Sequence, residues 1–268
     1  MARFALTGEE INLNRLLSSL AAGALYLTIL PASEAALVSR MGGLMVYDTE
    51  LDITWLADAN LAASEDFAIV RSSTELPDPD NAPLGATGRM RRDTATAWLQ
   101  NMNADNGGAG YLGFDNWRLA STSPPDPTCS RQMEFSDFSD GFNCTGNELG
   151  YLFYETMGVS AGDPISSSDN PDLDLFTNIQ DEQLGLVVAY WFSDAVDRSD
   201  SINDGTATGD IAGYIFEFNS GELTVGGGTL SGFLWPVLDG DVVVPVPAAA
   251  SLFGSALGLL GWIRRRMS

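Results

Sequence analysis

Between its two apolar ends this chain carries a helical period in only two places, and that scarcity constrains its fold more than any other feature. In DTATAWLQNMN (Asp93–Asn103), Ala95, Trp98, Leu99 and Met102 fall at i, i+3, i+4 and i+7, with Asp93 placed to cap the helix. In ELGYLFYETM (Glu148–Met157), Leu149, Leu152, Phe153 and Thr156 share a face, and Gly158 stops the run. The remaining signals are short and β-prone. Leu44–Tyr47 and Asp52–Leu56 read as a hairpin about Asp48-Thr49-Glu50-Leu51. Trp117–Ala120 reads as a short strand and Leu184–Phe192 as an apolar one. Gly213–Phe218 alternates, with Tyr214, Phe216 and Phe218 on one side and Ile215 and Glu217 on the other. Ser220-Gly221 makes a turn, and Gly232–Leu238 ends the sheet. The segment Ser72–Gly88 and many of the 28 glycines supply long loops. Short helices, antiparallel strands and long loops predict an α+β domain, not a sandwich or a parallel sheet.

The ends divide the 268 residues into three. Arg15 precedes an apolar stretch from Leu16 to Leu30, Pro31 breaks it, and Ser33 and Ala35 place small residues where a signal peptidase reads them. Residues 1–35 are therefore expected to be a signal peptide, cleaved after Ala35. Residues 36–240 form the domain, and 241–268 form a tail. In that tail Ala248–Ile263 is an uncharged apolar helix candidate of 16 residues, followed at once by Arg264, Arg265 and Arg266. Clustered arginines stay on the cytoplasmic side, which leaves the domain outside.

Charge narrows the partners. Acids number 36 and bases 13, a net charge of −23, and every base is an arginine. Such a surface repels nucleic acid and anionic polymers; it suits cations, neutral ligands or high salt, or serves solubility alone. With no histidine, a Ser-His-Asp or Cys-His pair and a histidine metal site are excluded. Cys129 and Cys144 share one polar loop and are expected to pair in an oxidising compartment.

Val244-Pro245-Val246-Pro247-Ala248, the apolar helix and the arginine cluster together resemble a PEP-CTERM sorting signal of the VPLPA-CTERM variant, with Val246 in place of leucine. The resemblance implies an exosortase-type membrane protease as partner. The C-terminal helix would anchor the chain in the inner membrane transiently, and the trimmed protein would then reach the cell surface or extracellular matrix. Proline fits the cleavage motif physically, because it keeps the backbone extended.

A second resemblance covers about 200 residues. YDTELDITWLADANLA (Tyr47–Ala62), the helix around ATAWLQNMN, DNWRLAS (Asp115–Ser121), ELGYLFYETMG (Glu148–Gly158), YWFSD (Tyr190–Asp194), AGYIFEF (Ala212–Phe218) and LWPVLDGD (Leu234–Asp241), in that order, resemble the Lcl C-terminal-like family of secreted bacterial domains. That family is similar to formylglycine-generating-enzyme-like domains. The resemblance implies a C-type-lectin-like fold of short helices, twisted antiparallel strands and long loops. The chain departs from the family where Ala120-Ser121-Thr122 follow Trp-Arg-Leu, and where Asp52 stands in place of a hairpin glycine.

Trp117, Arg118 and Trp191 are the candidate ligand-binding residues. Beside that stands the plainer reading of core tryptophans and an arginine ion-paired to a carboxylate. Asp169, Asp172 and Asp174, or Asp137 and Asp140, offer hard oxygens to a structural calcium ion, though neither loop fits the EF-hand pattern. No other cofactor is expected. The leading expectation is a non-enzymatic module that binds a neutral polysaccharide or matrix component. A structural matrix protein without a discrete ligand, or a carbohydrate-acting enzyme, are the alternatives.

Overall fold

The computed structural model describes residues 36–69, 87–132, 138–181, 188–196, 212–227 and 230–242. The chain divides into two units at Ala35/Ala36, and every described residue belongs to the second.

β1 (Leu37–Arg40), β2 (Met45–Asp48) and β3 (Ile53–Leu56) form an antiparallel meander. The hairpin expected from sequence is β2–β3, with Met45 opposite Leu56 and Asp48 opposite Ile53. Asp48 closes its turn: the buried carboxylate accepts the N–H groups of Glu50 and Leu51, each at 3.0 Å. Asp52 adopts φ 52°, a left-handed conformation that aspartate tolerates better than most residues. Tyr47 donates its hydroxyl to the Asp52 carboxylate at 2.8 Å.

Burial pushes the Asp48 carboxyl above its ordinary range, against the pull of those two N–H donors. Burial does the same to Glu217. The folded chain then holds protons that the unfolded chain has released, so stability falls as pH rises from the ordinary carboxylate range, about 4, through the raised values. Asp48→Asn retains an oxygen for both N–H groups and removes the titration. Urea midpoints measured across this window are expected to fall less steeply in that variant; an unchanged slope would refute the assignment.

α1 spans Arg92–Gly108, with non-helical backbone at Asp105, Asn106 and Gly107, so its regular part ends close to the expected residue. Ala95, Trp98 and Met102 are buried as the stripe requires, and Leu99 is half-buried. The expected cap is corrected: the N-cap position is Arg91, and Asp93 lies in the first turn, where it accepts the Thr94 N–H. The helix starts early because Met90 exchanges both backbone hydrogen bonds with Gly232, which fixes the chain up to the helix's first residue.

β4 (Arg118–Leu119) and β10 (Pro236–Asp239) complete a five-stranded sheet in the order β1-β2-β3-β10-β4, in which the last strand lies between two early ones. A ribbon of β5 (Arg131–Gln132) and β6 (Ser139–Asp140) leads to α2 (Glu148–Tyr151), which continues as a π-helical turn over Leu152–Thr156. A second antiparallel sheet contains β7 (Ala189–Val196), β8 (Ala212–Glu217) and β9 (Glu222–Gly226). Of the strand expected at Leu184–Phe192, Ala189–Phe192 is seen in β7, which runs on to Val196; residues 184–187 lie outside the described residues. The ladder of β7 is set by β8, and a bulge after Trp191 lets the Ser193 N–H reach the Ala120 carbonyl and link the two sheets.

These elements make an α+β architecture with two apolar clusters. The alternation of β8 sends Tyr214, Phe216 and Phe218 into one, with Trp55, Phe153, Tyr190 and Trp235. Ile215 enters the other, with Leu56, Trp98, Met102, Trp117 and Trp191. Fully burying one such side chain contributes on the order of 1.5–3 kcal/mol, so aromatic burial dominates the stability of this loop-rich chain.

Candidate functional site

Trp117 and Trp191 are 2% and 1% exposed. Their indole N–H groups donate to the carbonyls of Tyr111 and Met90, both at 3.0 Å. Trp98 and Trp235 are satisfied in the same way by Glu65 and Leu56. A buried indole needs such a partner, and a ring enclosed on both faces has none to offer a sugar. The expectation of Trp117 and Trp191 as ligand contacts is corrected on this ground: both are core residues, as the plainer reading had it.

Arg118 is the part of that trio that reaches the surface. Its guanidinium forms a fork with Glu148, at 2.9 and 2.8 Å, and its Nε donates to Asp239 at 2.8 Å. Glu148 also accepts the Ser121 N–H at 2.7 Å. Burial works against the charge on Arg118, but Glu148 and then Asp239 outweigh it, so its pKa is raised. The triad joins β4, β10 and the start of α2, and its donors are occupied.

The cysteine loop is as expected at its ends: the Cys129 and Cys144 sulfurs stand 2.13 Å apart, a disulfide. The Asp126 carboxylate lies within 4.8 Å of both sulfurs, and among the described residues this is the group of three potential metal ligands that comes together. It does not fit a metal ion. The sulfurs are bonded to each other, and the carboxylate already accepts the N–H groups of Thr128 and Gly146 and the Thr128 hydroxyl. Asp169, Asp172 and Asp174 do not converge to that distance. Asp140 is held by Arg131 at 2.8 Å, and Asp137 lies outside the described residues. Ser33, Ala35, Val244–Ala248 and Arg264–Arg266 also lie outside them, as does the C-terminal apolar run. Among the described residues no helix is long and apolar enough to cross a membrane.

Among the described residues an open concavity lies elsewhere, between the loop after β3 and the end of α1. It is a cleft of about 810 Å³ lined by Glu65, Asp66, Phe67, Asn101, Asp105 and Tyr111, among others. That volume is within the usual range of small-ligand sites, about 300–1,000 Å³. Phe67 and Tyr111 are half-buried, with ring centroids 5.5 Å apart edge to face, and Phe67 rests in turn on buried Trp98 at 5.0 Å. Phe67, Ala68, Asn106 and Leu112 all adopt φ between 44° and 57°. Left-handed backbone costs a non-glycine residue about 1–2 kcal/mol, and here polar bonds hold it. Asp66 accepts the Ala68 N–H at 2.8 Å, Asn101 donates to the Phe67 carbonyl at 3.0 Å, and Asn106 to the Gly110 carbonyl at 3.2 Å. Burial, then the negative charges of Glu65, Asp58 and Asp105, push the Tyr111 phenol up, so it remains a hydrogen-bond donor.

Sequence reasoning passed over this cleft. The stretch GGAGYLGFDNWRLAS reads as glycine-rich punctuation leading into a short strand, and Phe67 sits outside any periodic run. The available signal was one aromatic residue inside a glycine and asparagine cluster, which strain at a built loop also produces. Compared with known protein families, curated proteins and solved structures, the chain matches none.

Proposed function

We propose that this chain is exported, trimmed at both ends, and displayed at the cell surface or in exopolysaccharide as a non-enzymatic glycan-binding module. The observation that carries the binding half is the cleft at Phe67 and Tyr111. It pairs two fixed aromatic rings, which suit the apolar face of a pyranose, with amide, carboxylate and phenol groups that suit its hydroxyls. The α+β architecture fits the C-type-lectin-like fold class that the sequence resemblance implies. Export rests on the leader pattern ending at Ala35, on Val244–Ala248 with Arg264–Arg266, and on the disulfide. An exosortase-type protease is the processing partner, and the apolar helix is the transient inner-membrane anchor.

Two measurements test the two halves. Intact mass of the protein from the surface or medium fraction of its host is expected to begin at Ala36 and end near Pro247 or Ala248; a chain retaining Arg266 in the inner membrane would overturn the sorting reading. On a glycan array the purified protein is expected to retain neutral oligosaccharides. Phe67→Ala and Tyr111→Ala should each weaken that binding about tenfold, the equivalent of about 1.4 kcal/mol. Binding unaffected by both substitutions would remove the cleft from the site.

A further inference from the structure

We infer that Arg40, Asp241 and Val242 form a clasp that governs removal of the C-terminal tail: the end of the domain has to come off the sheet before a protease takes the Val244–Ala248 motif. This rests on the sorting reading above and adds to it the regulation of that cut.

The clasp begins where β10 ends. β10 lies inside the five-stranded sheet, and β3 and β2 separate it from β1 at the edge. The residues that follow β10 are held at β3 and at β1. Gly240 donates its N–H to the Asp52 carbonyl at 2.8 Å, and its own carbonyl receives the buried Thr54 hydroxyl at 2.7 Å. Asp241 is taken by the Arg40 guanidinium of β1 in a fork, at 2.7 and 2.9 Å. That guanidinium also rests 5.3 Å from the centroid of the Tyr47 ring, which steadies it from a second side. Val242 is 6% exposed and joins the apolar cluster of Met45, Leu56 and Leu238. The end of the last strand is thus fastened to the first strand, through a pair 201 residues apart in sequence.

Reach decides what this means for the tail. The motif opens at Val244, immediately beyond Val243. From Val242 to Ala248, where the apolar run starts, the chain can span at most about 20 Å, which is about the radius of a domain of this length. A protease working at the membrane therefore meets the domain itself as it closes on the motif. Proteolysis requires undocked backbone, so its rate follows the population in which the flanking residues are free. With the clasp closed, Gly240, Asp241 and Val242 are bonded or buried. With it open, they add to the free chain on the domain side of the cut. Because the clasp joins β1 to the far end of the domain, it closes only after the whole domain has crossed the membrane. Cutting and the final closure of the sheet then compete for the same residues.

The test follows the full-length chain in its host by pulse labelling, reading loss of the tail by mass and release from the inner membrane by fractionation. Arg40→Ala and Asp241→Asn are each expected to speed tail removal about threefold, the order expected when a partly exposed ion pair is lost. The double variant should be no faster than either, because both substitutions break one pair. Arg131→Ala removes the pairs with Asp140 and Glu222 on other strands, and should leave the rate unchanged. A short glycine and serine insertion between Val243 and Val244 should speed removal and erase the effect of Arg40→Ala, since the longer leash lets the protease reach the motif with the clasp closed. A rate unmoved or slowed by Arg40→Ala, raised equally by Arg131→Ala, or still sensitive to Arg40→Ala after the insertion would overturn the clasp and leave the sorting reading standing. A tail retained in every variant would overturn both.

Discussion

Serine at both Cys129 and Cys144 is expected to lower the unfolding free energy by about 3 kcal/mol, the chain-entropy value for closing a loop of 15 residues. For a domain of this size that corresponds to a fall in Tm of roughly 6–12 °C. The native loop offers little else on a similar scale. Its ribbon holds two residues per strand; its polar anchors are the Asp126 carboxylate, which gathers Thr128 and Gly146, and the half-exposed Arg131, which pairs with Asp140 and Glu222. The anchors and the disulfide act on the same backbone, so their substitutions should not add. Structural consequences should spread from Cys144. Its carbonyl receives the Asn147 amide at 2.8 Å, and Asn147 in turn caps α2 through the Gly150 N–H at 2.7 Å. The next residue, Glu148, holds Arg118. The readouts are urea unfolding of the oxidised wild type and of the double variant, with the dependence on urea concentration unchanged. A loss below about 1 kcal/mol would show that the polar anchors close the loop without the disulfide.

The parts of this fold that were legible in the sequence share a physical origin. α1 and α2 declare themselves because each must bury one stripe, and a stripe leaves a 3.6-residue period whatever it packs against. The β2–β3 hairpin is legible because its turn is written locally, in Asp48 and Asp52. β8 is legible because it lies between the two apolar clusters and alternates between them. The start of α1, by contrast, is fixed by Met90 pairing with Gly232, more than a hundred residues away, and no local rule contains that pairing. The extension of β7 beyond Phe192 to Val196 escaped for the same reason. A run buried on both sides reads as uniformly apolar, so only its partner strand fixes where the ladder begins and where it bulges.

The site was less legible than the fold. Tryptophans invite a reading as sugar platforms, yet Trp117 and Trp191 are more valuable to this chain as core, because few residues can fill the space between two sheets and still place an N–H against a carbonyl. Among the described rings left half-buried are the smaller Phe67 and Tyr111 of the cleft. Their positions depend on left-handed backbone and side-chain to backbone bonds, which carry no period.

The cleft's second wall is expected to fail under one methyl group. Gly110 has φ 76°, and a Cβ there would stand 1.7 Å from the Phe114 carbonyl oxygen and 2.3 Å from its carbon. These are backbone atoms of the same tight turn, in which Tyr111 and Phe114 pair and the Gly113 N–H reaches the Gly110 carbonyl at 3.2 Å. Neither side can give way without unmaking the turn that carries Tyr111 into the cleft and its carbonyl to Trp117. Gly110→Ala should therefore cost about 3 kcal/mol or more, in the range reserved for backbone clashes and core defects. Gly113, three residues on, is the internal control. It too is left-handed, at φ 85°, but nothing lies within 4 Å of its Cβ position, so Gly113→Ala should cost only the conformational penalty of about 1–2 kcal/mol. The difference between the two variants in urea unfolding isolates the clash. Glycan binding should survive at Gly113→Ala and be lost at Gly110→Ala at temperatures where both remain folded. Equal stability of the two would mean that the Phe114 carbonyl does not press on Gly110, and the wall of the cleft would have to be redrawn.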